Sequence, residues 1–204
     1  MNAFLRYISS QFKNPKGWGG RLVCYIQNKV NCRMYNRLVG MLDLKTTDKL
    51  LDVGFGNGHL LKLIYEKHPV DMFGVDVSAD AIAMATSRNG KAAANGQLHL
   101  QVADCCDLPF PDDSFSAVTS INTVYFWQDV LKGLSEIRRV LASGKSFYNV
   151  AYTPQYLNSI SFTQVGYNKL CADQLVQLGK QAGFSRVSVY PLVEGKSFVV
   201  IYTK

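Results

Sequence analysis

The sequence lacks several features that define other classes of protein. It contains no apolar run long enough to cross a membrane, no internal repeat and no low-complexity tract. These absences argue against a membrane-spanning protein, a repeat array and a disordered chain. With 48% hydrophobic residues over 204 positions, the chain can instead bury one full core, and nothing in it predicts a second. We therefore expect a soluble protein with a single core.

The cysteines lack the spacing of a metal site. They are Cys24, Cys32, Cys105, Cys106 and Cys171. Their number is odd and no secretory signal precedes them, so we expect reduced thiols and a cytoplasmic location. The adjacent pair Cys105 and Cys106 is compatible with a thiol-bound metal, but no further ligand pattern accompanies it. The sequence therefore predicts no metal.

Acidic residues are scarce near the N-terminus. The first fifty positions hold nine of the 22 Lys and Arg residues but only two acids, Asp43 and Asp48, which leaves a charge of +7 there. The other 154 positions are balanced, so the whole net charge lies in this segment. Six of its apolar residues recur at helical spacing and predict an amphipathic helix packed on the core. They are Leu22, Ile26, Val30, Met34, Leu38 and Leu42.

Three basic residues, Lys29, Arg33 and Arg37, form a stripe beside this apolar row. The simplest interpretation is a solvated helix face. The alternatives are attraction to an acidic substrate, to nucleic acid or to an anionic membrane surface. No aromatic-interleaved nucleic-acid module accompanies the stripe, so nucleic acid is an unfavoured partner.

The run from Asn14 to Gly20 contains one proline, three glycines and a single large aromatic side chain, Trp18. This composition predicts a break in any helix. A hinge that carries Trp18 would suit a lid that closes over a ligand, with Trp18 contacting the substrate. An ordinary loop with Trp18 packed in the core fits the composition equally well. We expect a basic helical cap or lid over residues 1–45 and the main domain over residues 46–204.

The most informative segment is LLDVGFGNGHLL, residues 50–61. Its first residues form an apolar run typical of a parallel strand that is buried on both faces. Three glycines then permit backbone angles and a close approach that side chains would block. A helix that begins near His59 directs its free N–H groups at whatever lies above this turn, which favours a ligand with a carboxylate or phosphate.

The spacing of these glycines distinguishes between cofactors. A dinucleotide fingerprint needs a sixth-position glycine, and here that position is His59. The pattern is instead G-x-G-x-G, preceded by Asp52. It resembles motif I of the class I methyltransferases that use S-adenosylmethionine. The resemblance implies that cofactor, with Asp52 among the residues that bind it.

Two further acids follow the next two strands. The strand over residues 72–77 includes Asp76, and an acid at this point is placed to accept hydrogen bonds from both ribose hydroxyls. Asp104 follows a third strand near Leu98–Val102. In the family that the chain resembles, this acid commonly contacts the adenine amino group, while the neighbouring backbone contacts the ring edge. The segment LPFPDDSFSAV closely resembles the corresponding segment of the type 11, UbiE-like methyltransferases.

The end of the predicted fourth strand, Phe115–Ile121, is where substrate chemistry is expected in an open α/β sheet. It reads INTVYFW, not the Asn-Pro-Pro-Tyr type that would imply methylation of base or glutamine nitrogens. Asn122 is placed to contact the methionine end of the cofactor. Tyr125, Phe126 and Trp127 offer an aromatic wall that is partly core and partly pocket. The predicted cofactor contacts are Asp52, Gly54, Gly56, Gly58, Asp76, Val77, Asp104, Cys105 and Asn122, and the predicted substrate contacts are Trp18, Tyr125 and Phe126.

The resemblance covers residues 49–204 and implies an α/β, Rossmann-like doubly wound fold. The expected sheet is seven-stranded and mostly parallel, with an antiparallel C-terminal strand and an N-terminal helical cap. A helix over residues 129–141 should precede the fifth strand, with Ala142, Ser143 and Gly144 changing only the turn. A helix over residues 171–182, stopped by Gly183, should precede a closing hairpin of strands 187–190 and 198–202.

The resemblance implies an enzyme that transfers a methyl group to a small organic molecule by in-line displacement. The alternatives are an RNA methyltransferase, with salt-dependent binding through Arg33 and Arg37, and a non-catalytic cofactor-binding regulatory protein. The intact glycine turn and Asp76 favour the enzyme. A general base is required only for a protonated acceptor. His59, Tyr125 and Tyr152 are candidates by residue type, and no catalytic residue is assigned.

Overall fold

The structure, a computed structural model, describes residues 17–164 and 166–204, with side chains from Ile26 onward. Its helices are α1 (Gly17–Met41), α2 (His59–Lys67), α3 (Ala79–Arg88), α4 (Gly90–Ala94), α5 (Val130–Val140), α6 (Pro154–Asn158) and α7 (Ala172–Gln181), with 3₁₀ turns at Val124–Phe126 and Ser161–Gln164. Its strands are β1 (Lys49–Val53), β2 (Asp71–Asp76), β3 (Leu98–Val102), β4 (Phe115–Ile121), β5 (Leu141–Tyr152), β6 (Arg186–Val193) and β7 (Ser197–Thr203).

The seven strands form one sheet in the order β3-β2-β1-β4-β5-β7-β6. The pairs from β3 through β5 are parallel, and β7 is antiparallel to both of its neighbours. This topology confirms the predicted Rossmann-like, mostly parallel sheet with an antiparallel C-terminal strand. It brings the carboxyl ends of β1, β2, β3 and β4 to the same edge of the sheet.

Apolar cores lie on both faces of the sheet. Leu50 and Leu51, which are neighbours in β1, are fully buried in separate cores. One core includes residues of α1, α2 and α3, and the other includes residues of α5 and α7. The apolar run that begins β1 is therefore a strand buried on both faces, as its composition predicts.

Helix α1 begins at Gly17, so the glycines at positions 17, 19 and 20 do not break the helix. The prediction of a break was wrong for these residues, while positions 14–16 lie outside the described residues. Glycine in a helix costs about 1 kcal/mol relative to alanine, and tertiary packing commonly outweighs that cost. Here the later turns of α1 bury Met34 and Leu38 against the sheet, and Leu42, just after the helix, joins the same core.

Only the C-terminal half of the predicted apolar row is buried. Ile26 is 48% exposed and Val30 is 54% exposed, whereas Leu38 is 0% exposed. A spacing of four residues advances by about 40° beyond a full turn at each step, so a strict four-residue row drifts around the helix. The prediction that the whole row packs on the core was therefore wrong for Ile26 and Val30. The side chain of Leu22 lies outside the described ones.

The basic stripe beside this row lies on the exposed side of α1, where Lys29, Arg33 and Arg37 are all exposed. Arg37 is anchored, since its guanidinium donates a hydrogen bond to the carbonyl oxygen of Leu192 in β6. The division of the chain at residue 45 stays a prediction, although the C-terminal half of α1 shares a core with α2 and the sheet.

The C-terminal elements follow the expected order. Asp129 caps α5 by accepting a hydrogen bond from the backbone N–H of Lys132 at 2.9 Å. Gly183 follows α7 with φ of +87°, in the left-handed conformation predicted for a helix stop. Strands β6 and β7 then close the sheet as an antiparallel pair. Among the described residues, no helix is both long and apolar enough to span a membrane.

Candidate active site

A cleft of about 320 Å³ opens where the carboxyl ends of β1 to β4 meet. The glycine turn after β1 forms one side, and the ends of β2 and β3 continue it. We call the Gly54–Gly58 segment, Asp76 and Asp104 the turn wall. Another part of the lining comes from one face of α1, whose lining residues we call the roof: Gln27, Asn28, Asn31 and Tyr35.

The three glycines of the turn have positive φ angles of 76°, 53° and 71°, which most side chains disfavour. At Gly54 a Cβ atom would lie 2.4 Å from Cγ2 of Thr123. At Gly58 it would lie 2.7 Å from Cβ and 2.9 Å from Cα of Ala85. At Gly56 a Cβ would meet no atom within 4 Å. Two glycines therefore permit close packing, while Gly56 leaves space open where it lines the cleft.

Asp76 connects the end of β2 to the glycine turn. One carboxylate oxygen accepts a hydrogen bond from the N–H of Gly56 at 2.8 Å, and the other accepts from the N–H of Ser78 at 2.9 Å. Burial raises the pKa of Asp76, and these two hydrogen bonds partly oppose the shift. Each oxygen retains a lone pair with which it can accept a hydrogen bond from a ligand hydroxyl.

Asp52 lies in β1 beneath the turn and is 2% exposed. The hydroxyl of Thr119 in β4 donates a hydrogen bond to its carboxylate at 2.8 Å. Burial raises the pKa of Asp52 to about 7, and the charge of Asp76 adds to the rise. Because Asp52 and Asp76 both line the cleft, a positively charged ligand there would favour their ionised forms.

Asp104, Cys105 and Val77 line the cleft at the ends of β3 and β2. The Asp104 carboxylate accepts a hydrogen bond from the N–H of Cys106 at 2.8 Å, which shapes the turn after β3. The carboxylate and the thiols of Cys105 and Cys106 lie within 4.8 Å of one another. Burial raises the pKa of both thiols, so both are protonated in the ligand-free protein. The absence of a metal site stays a prediction.

Asn122 follows β4 and lines the cleft in a left-handed conformation, with φ of +57°. Its backbone N–H donates to the carbonyl oxygen of Val150 at 2.9 Å. Its side-chain Oδ1 accepts a hydrogen bond from the hydroxyl of Tyr125 at 3.0 Å. Its Nδ2 is buried and has no hydrogen-bond partner among the described residues. The cleft thus contains a polar group that a ligand can satisfy.

The aromatic segment after β4 divides between cleft and core. Phe126 and Trp127 line the cleft. Tyr125 is 3% exposed and packs beneath it, with its hydroxyl bonded to Asn122. The structure therefore contradicts direct substrate contact by Tyr125, because its side chain is enclosed by the core. The side chain of Trp18 lies outside the described ones, so its predicted contact stays a prediction.

The roof was missed by the sequence analysis. The Nδ2 of Asn57, in the glycine turn, donates to Oδ1 of Asn28 at 3.3 Å. The hydroxyl of Tyr152 donates to Oδ1 of Asn31, which is buried. Gln27, Asn31 and Tyr35 recur every four residues, and this row of polar side chains along one face of the helix was the available signal.

His59 is the first residue of α2 and lines the cleft. Its ring meets that of Tyr35 edge to face at 5.1 Å. Burial, assisted by the charges of Arg88 and Lys62, lowers the pKa of His59, so its imidazole is neutral at neutral pH. The hydroxyls of Tyr125 and Tyr152 differ, because burial raises the pKa of each and each donates a hydrogen bond within the protein.

The sheet order, the glycine turn and the acids at the ends of β1 to β3 define the class I methyltransferase fold. Residues 51–149 match the family described as the type 11 methyltransferase domain. Over these residues, just under half of the chain, the protein is similar to this family of S-adenosylmethionine-dependent methyltransferases.

Two relatives illustrate the range of the family. The chain is 32% identical to 27-O-demethylrifamycin SV methyltransferase of Amycolatopsis mediterranei, over 55% of this chain and 41% of that protein. It is 33% identical to the ubiquinone/menaquinone biosynthesis C-methyltransferase UbiE of Geotalea daltonii, over 47% of this chain and 42% of that protein. The matched region therefore spans less than half the length of these relatives.

A solved structure extends the likeness to the whole fold. The methyltransferase in a complex with the Trm112 activator of Haloferax volcanii superposes with a TM-score of 0.79 at 17% identity. The superposition covers 100% of this chain and 98% of that one. At this identity the likeness establishes the fold alone.

Proposed function

We propose that this protein is an S-adenosylmethionine-dependent methyltransferase that methylates a small organic molecule by in-line displacement. When bound, the cofactor supplies a methyl group on a positively charged sulfur, so the acceptor atom bonds to the methyl carbon while the carbon–sulfur bond breaks toward sulfur. The protein then has to hold the acceptor in line and exclude water, which together supply several kcal/mol of the acceleration.

The observation that most strongly supports the proposal is the contact between Gly56 and Asp76. The N–H of Gly56 donates to the Asp76 carboxylate at 2.8 Å, at a point where the turn carries no side chain. This contact places two features side by side: open space at Gly56, which a ligand can approach closely, and the Asp76 carboxylate, which has free lone pairs. We assign the ribose hydroxyls to Asp76 and the adenine to the neighbourhood of Val77, Asp104 and Cys105.

The charge of the cleft supports a cationic cofactor. Burial raises the pKa values of Asp52 and Asp76, so each acid is held in an environment that disfavours its charge. A sulfonium or ammonium group nearby would offset this cost. A neutral ligand of similar shape would leave the cost in place.

Part of the cleft lining suits a small organic acceptor beside the cofactor. The whole cleft, cofactor space included, has a volume of about 320 Å³, at the lower end of the range for small-molecule sites, roughly 300–1,000 Å³. Phe126 and Trp127 offer apolar contact, and the roof offers neutral amides. Relatives named for small-molecule O-methylation, such as the rifamycin enzyme, support the same class of acceptor.

Among the three candidates for a general base, we favour His59. Tyr125 and Tyr152 donate their hydroxyl hydrogens within the protein, and burial raises the pKa of each. His59 lines the cleft as a neutral imidazole, which can accept a proton from an acceptor hydroxyl. An acceptor that already carries a lone pair and no acidic proton would not need it.

Calorimetric titration with S-adenosylhomocysteine, with NADH as the control ligand, tests the cofactor. Micromolar binding of S-adenosylhomocysteine alone is expected, and labelled S-adenosylmethionine would then identify acceptors among small molecules. A folded, ligand-free sample that binds neither compound would refute the proposal. Cofactor binding with no methylation of any small molecule or RNA would favour the regulatory alternative.

A further inference from the structure

We propose that Tyr125 is a positioning residue, which orients the side-chain amide of Asn122 toward the amino-acid end of the bound cofactor. This role rests on the proposed function, because it concerns the same site. It replaces the direct substrate contact that the sequence predicted for Tyr125.

The hydrogen bonds around Tyr125 determine the orientation of the amide. The phenol oxygen accepts a hydrogen bond from the backbone N–H of Tyr152. The phenol hydrogen is then donated to Oδ1 of Asn122 at 3.0 Å. If the amide were rotated by half a turn, its NH₂ group would face the phenol and the phenol hydrogen would lose this acceptor. The network therefore holds Oδ1, and not Nδ2, against Tyr125.

This orientation leaves Nδ2 of Asn122 as a donor for a ligand. Nδ2 is buried and has no partner among the described residues, and Asn122 lines the cleft. A buried N–H without an acceptor is unfavourable, so a ligand oxygen that accepts from it gains binding energy.

The backbone of Asn122 is fixed as firmly as its side chain. Its N–H donates to the carbonyl oxygen of Val150 at 2.9 Å, and its φ of +57° is a conformation that asparagine tolerates better than most residues. Val150 and Tyr152 both belong to β5, so one strand holds the backbone of Asn122 directly and its amide through Tyr125. Strained backbone held in this way is characteristic of ligand sites.

The order of the strands indicates which part of the cofactor the amide meets. Asp104 follows β3 and Asp76 ends β2, and these acids are assigned to adenine and ribose. Asn122 follows β4, which lies on the other side of β1 from both. The part of the cofactor left for this end of the cleft is the amino acid, whose carboxylate is a fitting acceptor for an amide N–H.

Two ligands separate this role from a general structural one. S-adenosylhomocysteine carries the amino-acid end, whereas 5′-methylthioadenosine keeps adenine, ribose and the thioether but lacks it. In Tyr125→Phe we expect the affinity for S-adenosylhomocysteine to fall on the order of threefold to tenfold, with methylthioadenosine unchanged. Tyr167→Phe is the matched control, because the Tyr167 ring packs 5.7 Å from that of Tyr125 while the bond to Asn122 stays intact.

A second variant keeps the test decisive if Tyr125→Phe does not fold. Asn122→Asp retains the acceptor for Tyr125 but places a carboxylate oxygen where the donor was. The affinity for S-adenosylhomocysteine should therefore fall further, whereas the affinity for methylthioadenosine should not change. Equal weakening of both ligands, or an unchanged affinity for S-adenosylhomocysteine, would overturn the role. Wild-type protein that binds neither ligand overturns the proposed function itself, a result distinct from a failure of Tyr125 alone.

Discussion

The turn wall and the roof are built in different ways. The turn wall consists of backbone N–H groups, carboxylates and glycines, and its residues follow strands that are neighbours in the sheet. The roof consists of side-chain amides and a tyrosine on α1, and it is held by contacts such as that between Asn31 and Tyr152, which are 121 positions apart in the chain. One wall is therefore encoded by local motifs and the other by long-range packing.

The largest expected effects separate two glycines within the turn wall. In Gly58→Ala the new Cβ lies 2.9 Å from Cα of Ala85, a backbone atom, and φ is +71°. We expect the free energy of unfolding to fall by about 3 kcal/mol or more. In Gly56→Ala the Cβ enters open space, so the loss should be about 1 kcal/mol from strain alone.

Relative to the stability that each variant loses, Gly56→Ala should lose more ligand affinity than Gly58→Ala. Gly56→Ala should remain folded yet bind S-adenosylhomocysteine at least about tenfold more weakly, because its methyl group occupies space beside the ligand. Urea denaturation and calorimetric titration measure the two quantities. Equal stability of the two variants would contradict the distinction between a packing glycine and a ligand glycine.

Asp76→Ala should weaken the binding of S-adenosylhomocysteine by about 2 kcal/mol or more, because two charge-assisted hydrogen bonds lose their acceptor. Asp80→Ala is the matched control, since Asp80 is an exposed acid at the start of the neighbouring helix α3. Calorimetric titration of both variants measures the difference. An unchanged affinity in Asp76→Ala would remove that residue from the site and weaken the importance given to the turn wall.

The difference between the walls explains what could be predicted from the sequence. The strand and the G-x-G-x-G turn are encoded by adjacent residues, and their backbone requirements can be inferred from the sequence. Asp76 could be predicted because it ends the next strand, 20 positions after Gly56. The burial predicted for Ile26 and Val30 was wrong because residues spaced four apart drift around a helix that has 3.6 residues per turn. The substrate contact predicted for Tyr125 was wrong because residue type does not show whether a side chain points into a cleft or packs beneath it. Asn31 was missed because its partner, Tyr152, is distant in sequence.

Asp52 offers a prediction about stability and pH. Its folded pKa of about 7 lies above its ordinary value of 3.8, so its neutral form stabilises the fold below that ordinary value. The contribution is lost as the pH rises toward and through 7. Asp52→Asn cannot ionise, so its stability relative to wild type should rise by about 2 kcal/mol between pH 5 and pH 8. Urea denaturation of the ligand-free proteins at both pH values measures this, with Asp80→Asn as the exposed control. Parallel pH curves for wild type and Asp52→Asn would show that Asp52 is ionised throughout.

The smallest expected effect tests the roof. Tyr152→Phe removes the hydrogen bond to Asn31, whose side chain is buried, and should lower the free energy of unfolding by about 1 kcal/mol. The affinity for S-adenosylhomocysteine should change less than about threefold, because this bond fastens α1 and does not recognise the ligand. The association and dissociation rates of S-adenosylhomocysteine should instead both increase, since a loosened roof opens more readily.

Stopped-flow fluorescence can follow these rates through Trp127, which lines the cleft. Tyr156→Phe is the control, because its ring lies 4.7 Å from that of Tyr152 and the change leaves the bond to Asn31 in place. If Tyr152→Phe lowered the affinity for S-adenosylhomocysteine as much as Asp76→Ala does, the roof would recognise the cofactor as directly as the turn wall does. In that case long-range packing would contribute to ligand binding as strongly as the local motif.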